Sequence, residues 1–181
     1  GPTQRFSEVE AKAVDHYLEG GGKGFFMLDP KIPDPRLSAA NLSVLDTGLD
    51  GVTKKWGAEL GRNFIVEGHL ELLRGVVWGL APQTLKYGNH PIVDPLKGKQ
   101  TVFQALRSVQ KAPGFSGTVT DLVTSAGNGA SWAKSDMNSL FRKEDIKPGP
   151  KDLKGPVPFA VATEKDTKDK KTQLVVFGDS D

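Results

Sequence analysis

Near its end the sequence carries an apolar strand pattern, Leu174-Val175-Val176-Phe177, that runs directly into Gly178-Asp179-Ser180. A serine presented on a glycine turn at a strand end can attack a carbonyl, provided that a base takes its proton and backbone amides hold the oxyanion. Only Asp181 follows Ser180 in this sequence. The same residues also have a purely structural reading, in which Gly178 permits a turn and Asp179 and Ser180 cap a helix that follows.

Other chemistry-bearing residues point the same way. The three histidines, His16, His69 and His90, form no i, i+4 pair and no HExxH pattern, so no zinc-ligand spacing is present. His90 precedes Pro91, which biases it to extended backbone, and it is read as fixing a turn by hydrogen bonding. Gly20-Gly21-Gly22-Lys23-Gly24 follows a helix and precedes a strand, the reverse of the order in which a helix N-terminus faces a phosphate. No Walker lysine-serine pair occurs. Glu8, Glu10, Asp15 and Glu19 fall on a solvated helix. Of Trp56, Trp78 and Trp132, two are expected in the core. Trp132 stands in a Ser/Gly/Asn-rich stretch and is read either as a packing anchor or as an exposed partner contact. Asp29 and Asp179, each at the carboxyl end of an apolar strand, complete the candidate ligand or partner contacts with Trp132 and Ser180. No catalytic, cofactor-binding or metal-ligating residue is assigned.

The elements that must position these residues are unevenly marked. Ser7 with Glu10 makes a capping box, and Ala13, Val14, Tyr17 and Leu18 form one apolar stripe before the glycine stop. Gly24-Phe25-Phe26-Met27-Leu28 suits a strand covered on both faces, whose parallel partner must lie upstream or come from later in the chain. Pro30, Pro33 and Pro35 mark a surface loop. The segment from Leu42 to Leu60 carries Leu45, Leu49, Val52, Trp56 and Leu60 at helical spacing, hence a helix, weakened by Gly48 and Gly51. Phe64 to Val66 is a short strand, residues 70 to 78 suit helix or strand equally, and residues 100 to 111 and 118 to 125 are favoured as strands. Residues 126 to 156 read as a loop-rich insertion with a helical turn within 135 to 141. Two strands, around Val157 to Val161 and Leu174 to Phe177, form an antiparallel hairpin whose charged connection, 164 to 171, is solvated.

Composition bounds the function. The chain has 181 residues, with 24 Lys+Arg against 22 Asp+Glu and no Cys. A net charge of +2 offers no field for tracking a phosphate backbone, which argues against nucleic acid. The absence of Cys removes disulfides, thiolate metal sites and a Cys nucleophile. The Gly1-Pro2 start and the end at Asp181 suggest a piece of a longer polypeptide.

Several segments in order resemble the ABC-type transport auxiliary component of the gliding-motility-associated kind. They are Phe6-Ser7-Glu8, Tyr17-Leu18-Glu19-Gly20-Gly21-Gly22, Asp29-Pro30, Lys55-Trp56-Gly57 and His90-Pro91-Ile92-Val93. Thr124-Ser125, Ser131-Trp132-Ala133, Lys154-Gly155-Pro156 and the terminal Val175 to Asp181 continue the series. The resemblance implies one α/β domain over residues 1 to 181. It would have a mostly parallel, Rossmann-like sheet flanked by helices, related to the class I glutamine-amidotransferase-like fold without its cysteine, and a C-terminal antiparallel hairpin. It further implies a non-catalytic extracytoplasmic module on the periplasmic face of the inner membrane, without a cofactor. Anchor helices outside this sequence would tether it beside the transporter's permease, and the ATPase would be an indirect partner. Two alternatives stand beside it. Gly178-Asp179-Ser180 resembles the nucleophile block of SGNH-type esterases, which would make Ser180 the nucleophile of an SGNH-like or amidotransferase-like hydrolase. A sugar- or peptide-binding domain would use the strand ends around Asp29 and Asp179.

Overall fold

The computed structural model describes residues 4–33, 42–71, 75–141, 146–167 and 170–180. Ser7 opens the first helix, α1 (Glu8–Glu19), by the reciprocal cap its sequence encodes: Ser7 Oγ accepts from the Glu10 amide while the Glu10 carboxylate accepts from the Ser7 amide. Gly20 and Gly21 end it, Gly21 with φ of 84°. Then come β1 (Lys23–Met27), α2 (Asp50–Lys55), β2 (Ala58–Leu60), β3 (Phe64–Glu71), β4 (Gly75–Gly79) and β5 (Gln83–Thr84). The chain continues through β6 (Thr101–Val102), β7 (Val109–Lys111), β8 (Thr118–Thr124), β9 (Ser131–Lys134) and α3 (Met137–Phe141). It closes with β10 (Leu153–Lys154), β11 (Pro158–Thr167) and β12 (Lys170–Phe177).

One four-stranded sheet has the order β1-β12-β11-β8 and a second the order β10-β9-β3-β4, with two-stranded pairs β2-β7 and β5-β6. Among the described residues, β1 with β12 is the one parallel pair, in register from Lys23 opposite Gln173 to Met27 opposite Phe177. The partner that β1 needs therefore comes from the far end of the chain. The hairpin β11-β12 is antiparallel as its alternating pattern requires, but the charged residues of 164 to 171 mostly extend its two arms instead of forming a loop.

This architecture overturns the mostly parallel, Rossmann-like expectation: strand, at 38%, outweighs helix, at 16%, and the sheets are mixed or antiparallel. A doubly wound sheet needs a helical crossover for each parallel pair, whereas α2 has six residues and α3 five. The apolar spacing from Leu45 to Leu60 does not become one helix because polar side chains capture the backbone first. Asp46 Oδ1 accepts from the Gly48 amide, Asp50 Oδ1 accepts from the Thr47 amide and hydroxyl, and Gly48 takes a φ of 87°. Helix begins only at Asp50, and Gly57, with φ of 99°, turns the chain into β2. Strand β1 is not covered on both faces: it lies at a sheet edge and alternates exposed with half-buried residues. Within residues 126 to 156 lie β9, placed between β10 and β3 in the second sheet, the short helix α3 and the two-residue β10. The Pro-rich loop lies partly outside the described residues.

The first sheet has a core on each face. Leu18, Leu28, Leu49, Trp56, Val109, Val161, Leu174 and Val176 join α1, α2 and the β2-β7 pair to one face. Ile65, Val93, Leu106, Leu122, Val157, Phe159 and Ala160 fill the other, between the sheets. Two buried threonines fasten the helical layer: Thr172 Oγ1 donates to the Leu18 carbonyl and Thr163 Oγ1 to that of Trp56, both at 2.7 Å.

Candidate site at the carboxyl ends of the parallel pair

The register of β1 with β12 decides where the candidate residues fall. With Met27 opposite Phe177, and the Leu28 amide donating to the Phe177 carbonyl at 2.9 Å, Asp29 and Asp179 leave their strands side by side. Ser180 turns back, and its Oγ donates to Asp29 Oδ2 at 2.7 Å. The turn is set by Gly178, whose amide donates to the Phe159 carbonyl and whose carbonyl accepts from the Arg107 amide. A Cβ on Gly178 would collide with the Arg107 carbonyl oxygen, so glycine is required for the close approach. Asp179 is 2% exposed.

Beneath this turn lies a residue that the sequence reading did not single out. The Arg107 side chain is fully buried and reaches Asp50 Oδ2 through Nη2 at 3.4 Å. Among the described residues its Nε and Nη1 have no hydrogen-bond partner. Burial pushes the guanidinium below its ordinary pKa, against the opposing pull of Asp50. Asp50 also accepts from Thr47, so it joins Arg107 to the 46–50 loop. A lone Arg between Leu106 and Ser108 gives no sequence signal of burial, since arginine is mostly exposed.

Beside Asp29 a small cleft of about 100 Å³ opens between the end of β1 and the 45–47 loop. Leu28 lies at its base, Asp29 and Asp46 bring negative charge, and Arg5 and Lys31 bring positive charge. Arg5 Nε stands 3.6 Å from Asp46 Oδ1. Among the described residues no group of three or more His, Asp or Glu side chains is placed to hold a metal.

The structure thus brings Asp29, Asp179 and Ser180 together and leaves Trp132 elsewhere. Trp132, on β9, is 2% exposed and packs against Trp78 with ring centroids 4.7 Å apart. The histidines stand apart from Ser180. His69 Nε2 meets the Ala81 carbonyl, His90 Nδ1 accepts from the Ile92 amide within its own turn, and His16 is exposed beside Glu19. Among the described residues the Ser180 hydroxyl therefore meets a carboxylate and no imidazole.

No helix among the described residues is long and apolar enough to cross a membrane. No curated protein matches the chain. A family model described as ABC-type uncharacterized transport system matches residues 1–181. That match covers the whole sequence, including the strand ends and the Gly178 turn, so the chain belongs to this family and is an auxiliary component of an ABC-type transport system.

Proposed function

We propose that the chain is a non-catalytic extracytoplasmic module of its transport system, of the gliding-motility-associated kind, that acts as a scaffold or binding surface. It would couple to the permease or to an envelope ligand on the periplasmic face, with the ATPase as an indirect partner. The observation that carries this reading is the Ser180–Asp29 bond. The one hydroxyl that the sequence offers as a nucleophile is engaged by a carboxylate that ties two strand ends together, and among the described residues no imidazole meets it. Family membership supplies the transport context.

Two experiments test the role. The chain lacks Cys, so a single cysteine at exposed Leu70 gives a clean labelling site. Intact cells treated with a membrane-impermeant maleimide should label the Leu70→Cys protein without lysis; labelling only after lysis places the domain in the cytoplasm. Affinity purification from detergent-solubilised membranes should retain the permease, and its consistent absence contradicts the scaffold role.

The mixed-charge cleft supports a second reading, a site for a small sugar or peptide. A short zwitterionic peptide matches the opposite charges of Asp29 and Asp46 against Arg5 and Lys31 better than a neutral sugar does. Calorimetric titration with dipeptides and monosaccharides should show peptide binding that Asp46→Ala weakens; no heat from either class removes this reading.

A further inference from the structure

Strand β1 ends the first sheet, and the two edges of that sheet are treated differently. The β8 edge is covered along Leu122 to Thr124: the Gly88 amide donates to the Leu122 carbonyl, the Thr124 amide donates to the Lys86 carbonyl, and Tyr87 bridges Val123. The β1 edge carries Phe25 at 60% and Met27 at 38% exposure, two large apolar side chains on a strand with no further strand beside it among the described residues. Such an edge is a template for a further strand unless it is blocked.

The backbone parity shows which groups are open. Along a parallel pair, alternate residues point both their amide and carbonyl at the same neighbour. The Leu28 amide donates to Phe177, so Gly24, Phe26 and Leu28 face β12, while Lys23, Phe25 and Met27 face outward. The Tyr17 hydroxyl confirms the parity at Lys23, where it donates to the carbonyl at 3.1 Å and accepts from the amide at 3.2 Å. Tyr17 thereby closes the first outward position. The outward amides and carbonyls of Phe25 and Met27 have no partner among the described residues.

We propose that this edge pairs with the same edge of a second copy, antiparallel about a two-fold axis through Phe26. In that register Phe25 of one copy faces Met27 of the other, twice, and the four open groups of each strand find partners while the Tyr17 plug stays in place. The neighbouring registers fit worse. An axis at Phe25 sets Met27 against Lys23, whose groups Tyr17 occupies. An axis at Met27 sets Phe25 against the Asp29 carboxylate end. Pairing about Phe26 also sets the Lys23 position opposite the Asp29 position of the other copy at both ends, so no like charges meet. The exposed apolar side chains gain aromatic–thioether contacts, and the two sheets join into one of eight strands. Self-association of this kind is independent of whether the domain is a scaffold or an enzyme.

Sedimentation equilibrium of the 181-residue chain from low micromolar to high concentration tests this, with amide hydrogen exchange as the local readout. The expected result is a monomer–dimer equilibrium in which the Phe25 and Met27 amides become protected as dimer forms. Met27→Pro removes only an outward amide, so β1 keeps its bonds to β12. Both Met27→Pro and Phe25→Lys should weaken dimerisation at least about tenfold. Tyr17→Phe, which leaves the Phe25 and Met27 groups untouched, should keep it. A chain that stays monomeric throughout, or a dimer insensitive to both edge variants while their circular dichroism remains that of the parent, overturns the proposal.

Discussion

Ser180 Oγ donates to Asp29 Oδ2 at 2.7 Å although the two residues stand 151 positions apart. The bond spans the carboxyl ends of β1 and β12 and holds the last described turn of the chain onto the first strand. Removing it should loosen the parallel pair and nothing else. Ser180→Ala is expected to lower unfolding free energy by about 1 kcal/mol, the scale of one partly exposed hydrogen bond to a carboxylate. A shift of the urea midpoint at unchanged slope measures it.

Asp50 and Arg107 are predicted to respond asymmetrically. Asp50→Ala leaves a fully buried guanidinium without its ion-pair partner and also releases Thr47, at a cost of about 3 kcal/mol or more. Arg107→Met removes the buried charge with its two unsatisfied nitrogens, and the Asp50 carboxylate keeps its Thr47 bonds. That variant should lose less than half as much. Paired denaturant titrations decide it, and equal losses contradict the asymmetry.

Acid sensitivity should centre on the junction of α1 with α2. Burial raises the Asp15 carboxyl, but hydrogen bonds from Lys55 and from Trp56 outweigh it, leaving the group below its ordinary value. A carboxyl held lower in the folded state contributes stability that is complete above its unfolded pKa of about 3.9 and fades as pH falls through the folded value. Asp15→Asn should therefore flatten the fall of Tm in that acid range. The slope is reduced, not abolished, because hydrogen bonds from the Ser7 backbone, the Ser139 backbone and Lys171 likewise hold Glu10, Asp136 and Glu164 low.

Trp132→Ala should behave as a core deletion. Its ring is buried against Trp78 amid Val66, Met137 and Leu140, so truncation is expected to cost about 4 kcal/mol. Calorimetric unfolding of the variant checks the magnitude; a loss near zero would indicate a ring that contributes to a surface instead.

What could be read from the sequence was local. The Ser7–Glu10 cap, the glycine stop after α1 and the β11-β12 hairpin each depend on neighbouring residues, and their chemistry is written in a few consecutive positions. The pairing of β1 with β12 is a tertiary decision between segments at opposite ends of the chain, and an apolar run such as Gly24 to Leu28 looks alike at a sheet edge and at its centre. Helical spacing at 45 to 60 misled because Asp46, Thr47 and Asp50 capture the backbone, an effect that apolar periodicity does not weigh. Asp29, Asp179 and Ser180 were accessible as strand-end residues, and the parallel register then makes them neighbours. Arg107 was not, since only the approach of Gly178 over its backbone and the packing around it put that side chain out of solvent. Trp132 was ambiguous because its Ser/Gly/Asn-rich neighbours suggested a loop where the fold places a central strand.

Hydrolysis of a broad panel of ester and amide substrates, followed for the chain and for Ser180→Ala under identical conditions, tests most directly whether the strand-end serine is a fastening or a nucleophile. Matching background rates for the two proteins are the expected result. Turnover that disappears with the Ser180 hydroxyl while the fold persists would contradict the non-catalytic reading.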